Sequence, residues 1–383
     1  MRDDEPVRTE WSWPLTSLHP AAAGGLSLEL EVADGIVVRA EPRPGRVHRG
    51  AEKLYESRDY RSALSLANRH DWTSSFASEL GLAQLVEQML GMPVPRRAQW
   101  LRVLLAELTR LQHHLQWLSS SAAELGLEVP ASGDVATTSV TDVLADFTGT
   151  RMHTMIVRYG GLRDDPGPEW VARAAEIAPR AARWAHEVAE QLAHDGRTAG
   201  VGVLQPAEAR GWAVSGPVAR ASGVGLDLRA TSAASATAPS GMSAVDADPY
   251  VELARLGAYQ PVVLSAGDAA ARFALLGAEA LVSAACVVAA AEKLGELDGP
   301  VSVALPKVIR VPEGSGFAEV ESPTGRSGWY LESRGDTTPF RVAMRTASFA
   351  NAMSLQSALP GTHVDDIPTV LMSYFLVAGD TDK

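Results

Sequence analysis

Cysteine is almost absent from this chain: among 383 residues there is one, Cys286. A single thiol excludes an internal disulfide framework and any thiolate cage built from this polypeptide alone. A basic excess is also missing. The 34 Lys and Arg against 46 Asp and Glu give a net charge of −12, which argues against nucleic acid as a partner because phosphate binding needs a basic surface. The N-terminal stretch MRDDEPVRTEWSWPLTSLHP lacks the continuous apolar run of a secretory signal, so a cytoplasmic chain is expected. The longest apolar segment, Phe273 to Ala291, is rich in small alanines and contains Glu279. It is predicted as a buried core helix, because a membrane span needs roughly 20 predominantly apolar residues with few charges. Membrane association is then expected only through a partner. No glycine-rich phosphate cradle follows a strand, and no nucleophile elbow is present.

What is there is ordinary globular composition, 46% apolar and 21% charged, enough for a large core. Leu26-Ser-Leu-Glu-Leu-Glu-Val32 alternates strictly, and Asp34-Gly35 supplies the turn into Ile36-Val37-Val38, so a hairpin with one covered face is predicted. The period changes to 3.6 over Thr73 to Leu90. A second helix begins at Pro95 and carries Leu101, Leu104, Leu105, Leu108, Leu111, Leu115, Leu118 and Ala122 on one side. Further helices are expected near Thr141 to Val157, over Pro168 to His194 with a bend at Pro179, and from Asp268 to Leu297. Ala230 to Ser243 has low complexity and no periodicity, and is expected to be a mobile surface loop. Short strands are predicted at Phe317–Glu321, Trp329–Glu332 and Phe340–Arg345. With strands at the ends and helices between, the fold class is α+β with small antiparallel sheets. The expected division is an N-terminal hairpin region 1–50, a helical core 51–300 and a C-terminal short-strand region 301–383.

Several residues carry possible chemistry beside a plainer reading. Arg49, in His48-Arg49-Gly50-Ala51-Glu52-Lys53-Leu54, either cups carbonyls at a helix start or offers a fixed charge to a redox centre or anion. His113-His114 point some 100° apart on a helix and are not a metal pair. His153, flanked by Met152 and Met155, is read from local pattern as a helical core histidine. Cys286 among alanines and valines is a small hydrophobe, not a nucleophile.

A series of motifs extends these readings: His19-Pro20, the hairpin, His48-Arg49-Gly50-Ala51-Glu52-Lys53-Leu54, Asn68-Arg69-His70-Asp71-Trp72, Pro95-Arg96-Arg97-Ala98-Gln99, Arg102 to Arg110, and Arg220-Ala221-Ser222-Gly223 with Asp227 and Arg229. Together with Val320-Glu321-Ser322-Pro323, Ser348-Phe349-Ala350-Asn351 and the terminal Gly379-Asp380-Thr381-Asp382-Lys383, they make nearly the whole chain resemble the 49-kilodalton, D-type subunit of the proton-pumping NADH:quinone oxidoreductase, respiratory complex I. That family shares its fold with nickel–iron hydrogenase large subunits, and a chain with one cysteine belongs to the metal-free branch.

The resemblance implies a hydrogenase large-subunit-like fold and a place in the peripheral arm, on the cytoplasmic side of the cell membrane. The expected partners are a B-type iron–sulfur protein, other peripheral-arm subunits and membrane-arm subunits. No cofactor is expected on this chain; NADH, FMN and iron–sulfur clusters belong to the partners, and quinone is the substrate. By resemblance Arg49 and His153 face the partner's terminal cluster. The quinone cavity would be lined by His19, Ala23, Trp72 and Glu124. Ala23 and Trp72 stand where the family has a histidine and a tyrosine, and an indole N–H donates a hydrogen bond but gives up no proton. Glu124 or His19 is then the expected proton donor. The same departures imply two rivals: an accessory or scaffold paralogue that has lost quinone chemistry, and a component of a related complex with another electron acceptor.

Overall fold

The computed structural model describes residues 7–11, 19–22, 25–129, 132–230 and 248–383. The alternating leucines form β2 (Ser27–Ala33), which pairs antiparallel with β3 (Ile36–Arg43). Asp34 and Gly35 adopt φ 52° and 77°, the two positive values that a tight hairpin turn demands. Leu28 and Leu30 are buried on the covered face. A strand the alternation did not announce, β1 (Val7–Trp11), completes a three-stranded sheet on the other edge of β2.

After β3, Gly50 at φ 63° turns the chain into α1 (Ala51–Glu56), followed by α2 (Tyr60–Leu64). The period of 3.6 becomes α3 (Ser75–Leu90), which Gly91 ends in the left-handed conformation. Pro95 precedes α4 (Arg96–Glu124), whose leucine face is buried against the rest of the core. The next helix departs from expectation. It is α5 (Ser132–Thr148), nine residues earlier than the predicted span, and Gly149 at φ 82° ends it. His153 therefore lies on a loop and not on a helix.

A two-stranded ribbon, β4 (Val157–Arg158) and β5 (Gly161–Leu162), leads to α6 (Pro168–His194), which holds Pro179 inside it. Short α7 (Pro206–Gly211), α8 (Gly216–Ala221) and α9 (Pro249–Arg255) precede α10 (Ala269–Glu296). Asp268 caps α10 by accepting the Ala271 N–H at 2.8 Å. By length and apolar composition α10 passes as a membrane span, yet most of its apolar window is buried against α4 and α6. Gly277 lets α10 approach α6: a Cβ there would stand 2.5 Å from the Ala189 Cβ. Of the loop expected over Ala230 to Ser243, residues 231–243 lie outside the described residues.

The C-terminal sheet orders β6 (Gly314–Ser322), β7 (Gly325–Ser333) and β8 (Arg341–Arg345) antiparallel. Buried Trp329 on β7 packs against Gly81 of α3. Four short helices close the chain: α11 (Ala347–Met353), α12 (Leu355–Ala358), α13 (Ile367–Ser373) and α14 (Ala378–Thr381). One apolar cluster runs from Ala21 to Val377, so the fold is α+β around a helical core.

Candidate functional site

The proline-rich loop after β3 delivers Arg49 to the surface, and the chain's last residues fix that loop. Asp382 accepts N–H bonds from Gly45 at 2.6 Å and Val47 at 2.8 Å. Arg49 Nη2 donates to the Arg69 carbonyl at 2.9 Å. Arg69 in turn places its own Nη2 3.8 Å from Met155 Sδ. Half-buried His153 lies in the field of the Arg69 guanidinium. Burial lowers its pKa, the nearby Arg69 charge lowers it further, and a hydrogen bond to the Asn68 backbone works the other way. Arg49, Arg69 and His153 are thus linked on one face, where Met152 is also exposed.

This face is assembled by a buried carboxylate. Glu79 on α3 accepts Asn68 Nδ2 at 2.6 Å, Met155 N–H at 2.7 Å, Thr154 Oγ1 at 3.1 Å and Val157 N–H at 3.2 Å. One side chain therefore ties the segment of Arg69 to the loop of His153. Burial pushes the Glu79 carboxyl above its ordinary value, against these four donors. Met155 sits at φ 45°, a left-handed conformation that costs a non-glycine residue roughly 1–2 kcal/mol. Ser75 Oγ also holds the Met152 carbonyl at 2.7 Å.

Of the second group of expected residues, His19 and Glu124 lie toward the end of α4. His19 is buried and edge-on to Trp117, with ring centroids 5.4 Å apart. Ala21 N–H donates to its Nδ1 at 3.1 Å, so a neutral ring carries its hydrogen on Nε2, 3.1 Å from Ser121 Oγ. Burial lowers the His19 pKa to about 3, and both nitrogens are engaged within the protein. Glu124, half-buried, is the last residue of α4, one turn beyond Ser121. Half-buried Trp72 opens a 3₁₀ turn, Trp72–Ser74, that packs on α4. Its neighbour Asp71 is buried, and burial and Asp380 push its carboxyl up. Ala23 lies outside the described residues.

Arg69, Glu79 and Asp382 were given no role from sequence. The motif positions of Arg69 and Asp382 were the available signals, since each sits in a run that carried the resemblance; Glu79 offered none, because an acidic residue in a helical repeat reads as solvated surface. Arg220, Asp227 and Arg229 of the resemblance do not join this face and are buried in the core. Among the described residues no group of three or more His, Cys, Asp or Glu could hold a metal ion.

Fold and site together describe an α+β chain with a helical core that presents fixed positive charge and an imidazole on a loop face. The profile of the family described as respiratory-chain NADH dehydrogenase, 49 Kd subunit, matches residues 137–309 and 303–383. The second-numbered D-type NADH-quinone oxidoreductase chain of Salinispora tropica is 41% identical over 387 aligned positions, covering 99% of this chain and 95% of that protein. The first-numbered D-type chain of Streptomyces coelicolor is 42% identical, over 95% of this chain and 93% of its own length. A chain from the membrane-bound sulfane sulfur reductase, an archaeal respiratory membrane complex, superposes with a TM-score of 0.84 at 28% identity, covering 100% of this chain and 99% of that one. The chain belongs to the 49-kilodalton, D-type subunit family of the respiratory-chain NADH dehydrogenases. It is accordingly one component of a complex I-type oxidoreductase and works among the other subunits of a respiratory complex.

Proposed function

We propose that this chain belongs to the peripheral arm of a complex I-like NADH:quinone oxidoreductase on the cytoplasmic side of the membrane, and that it forms the quinone cavity together with a B-type iron–sulfur partner. Arg49 and His153 face that partner's terminal cluster. The observation that carries this reading is the linked face of Arg49, Arg69 and His153, held by Glu79. Positive charge and N–H donors beside cluster sulfurs stabilise the reduced form and raise its potential, and an imidazole there takes up a proton as the electron arrives. NADH, FMN and the iron–sulfur clusters belong to partner subunits, and membrane attachment and proton translocation run through them.

At the quinone end, the N-terminal region 1–50, Trp72 and Glu124 enclose the headgroup. Trp72 orients a carbonyl through its indole N–H. With both His19 nitrogens engaged internally, Glu124 is the side chain left to deliver protons. The test is purification of the complex through a tag on this chain, with identification of what travels with it and assay of inhibitor-sensitive NADH:quinone activity. Co-purification of an iron–sulfur protein together with activity supports the reading; a chain that purifies alone refutes it.

A second reading is favoured by the sulfane sulfur reductase neighbour and by Ala23 and Trp72: the same assembly with another electron acceptor, or a scaffold without quinone chemistry. An intact complex that oxidises NADH but leaves quinone untouched would establish it.

A further inference from the structure

Four carboxylates, Glu107, Asp227, Glu279 and Glu321, lie buried with three guanidinium groups, Arg110, Arg220 and Arg229, between α4, α8, α10 and β6. Arg220 Nε meets Glu279 Oε1 at 2.7 Å, and its Nη1 meets Glu321 Oε1 at 2.6 Å. Arg229 spans Asp227 at 2.7 Å and Glu107 at 3.2 Å, while Arg110 Nε lies 3.4 Å from Glu107. Tyr250 and Ser283 hydroxyls complete Glu107 at 2.6 and 2.7 Å. Among the described residues four acids face three equally buried cations, an excess of one negative charge that the half-buried Arg345 beside Glu321 offsets only from the edge, a costly state in a dry core.

The cluster has one loosely held oxygen. Among the described residues Glu279 Oε2 has no close hydrogen-bond partner and faces His114 Nε2 at a loose 3.4 Å. His114 Nδ1 lies 3.2 Å from His113 Nδ1, and the buried His113 Nε2 has no hydrogen-bond partner among the described residues. An Nδ1 to Nδ1 contact needs one hydrogen between the rings. With both rings neutral, His113 Nδ1–H donates to His114 Nδ1, His114 Nε2–H points at Glu279, and His113 Nε2 keeps a free lone pair.

We propose that His113, His114 and Glu279 form a buried proton-binding site, in which one proton is held as an imidazolium on His114 between the Glu279 carboxylate and His113. The proton bonds to the His113 Nε2 lone pair, the Nδ1–H bond of His113 breaks as a hydrogen bonds to His114 Nδ1, and His114 then carries hydrogen on both nitrogens. No electrons move and the cluster becomes neutral. The site is independent of any quinone or iron–sulfur reading. Burial lowers the affinity of both rings for a proton; Glu279 from α10 raises that of His114, and Arg110 on α4 with Arg229 after α8 lower it. The site is therefore empty near neutrality. It fills on the acid side of the ordinary histidine value, about 6.5, or when negative charge arrives nearby. Glu321, pushed up by burial although Arg220 opposes this, is the competing seat for the same proton.

The test uses infrared difference spectra, taken on either side of that value, of the assembled complex purified through this chain with ring-nitrogen-labelled histidine. The expected result is an imidazolium signal that forms on acidification in H2O buffer and then resists exchange during brief transfer to D2O buffer, disappears in His114→Gln, and in Glu279→Gln requires at least about tenfold more acid. Where a variant fails to assemble, the unsubstituted complex decides: the exchange-resistant imidazolium supports the site. Its absence, its persistence in His114→Gln, or a protonated carboxyl band in its place overturns the proposal.

Discussion

Glu79→Gln is the sharpest probe of the loop face, because one atom changes and four hydrogen bonds respond. Glu79 Oε1 receives Asn68, Thr154 and Met155, and Oε2 receives the Val157 N–H. Glutamine keeps one acceptor. With that oxygen in the Oε1 position, the amide NH2 meets the buried Val157 N–H donor to donor, and orphaning such a group costs about 1–3 kcal/mol. The remaining bonds also lose their charge assistance. Taking about 2 kcal/mol, and about 1.4 kcal/mol per factor of ten, amides of residues 153–157 should exchange with solvent roughly thirtyfold faster in the assembled complex, while those of α4 keep their rates. Hydrogen exchange with mass detection measures both. Exchange unchanged at 153–157 would refute the claim that Glu79 holds this loop, and a rise spread evenly over the chain would show a global role instead.

Arg69→Ala should cost little stability, since the residue is exposed, yet should move the His153 titration toward higher pH by removing a neighbouring cation, as ring-proton NMR or infrared titration would reveal. His19 has its folded pKa depressed to about 3. The unfolded chain binds the extra proton from about 6.5 downward, so stability should fall by up to about 1.4 kcal/mol per pH unit between about 6.5 and 3, and a His19→Gln chain should show a flatter acid-denaturation profile. Gly277→Ala forces a 2.5 Å contact with Ala189 and should destabilise the α6–α10 pair by about 1–3 kcal/mol, read as a lower inactivation temperature of the complex. Glu124→Gln should lower quinone reduction severalfold with NADH oxidation by an artificial acceptor unchanged, in a steady-state assay.

Much of the fold was legible because period and punctuation agree locally. Asp34-Gly35, Gly91 and Asp268 each sit where a positive φ or a cap was needed. The errors arose where tertiary context decides. Strand β1 is held by its pairing with β2, a long-range term invisible to local pattern. The fifth helix was displaced because Asp142 to Phe147 continue a helical period whose start lies in the weakly patterned Ser132 to Thr138; the Gly149 stop was passed over.

The site was legible unevenly for the same reason. Motif order carried Arg49 and His153, and the structure links them through Arg69, 20 residues from one and lying against the loop of the other. The buried charges were hidden by their spacing: Glu107, Arg110 and His114 share the leucine helix with a dry core, and partners from distant segments make those charges tolerable there, Arg229, Tyr250 and Ser283 for Glu107, the Glu321 and Ser322 carbonyls for Arg110, and Glu279 for His114.

An EPR-monitored redox titration of the partner's terminal cluster, in the complex carrying Arg49→Ala or His153→Ala, bears most directly on the claim that this loop face adjoins that cluster. Both changes should lower the midpoint potential, and His153→Ala should also flatten its dependence on pH. A potential and a pH slope identical to those of the unsubstituted complex in both variants would contradict it.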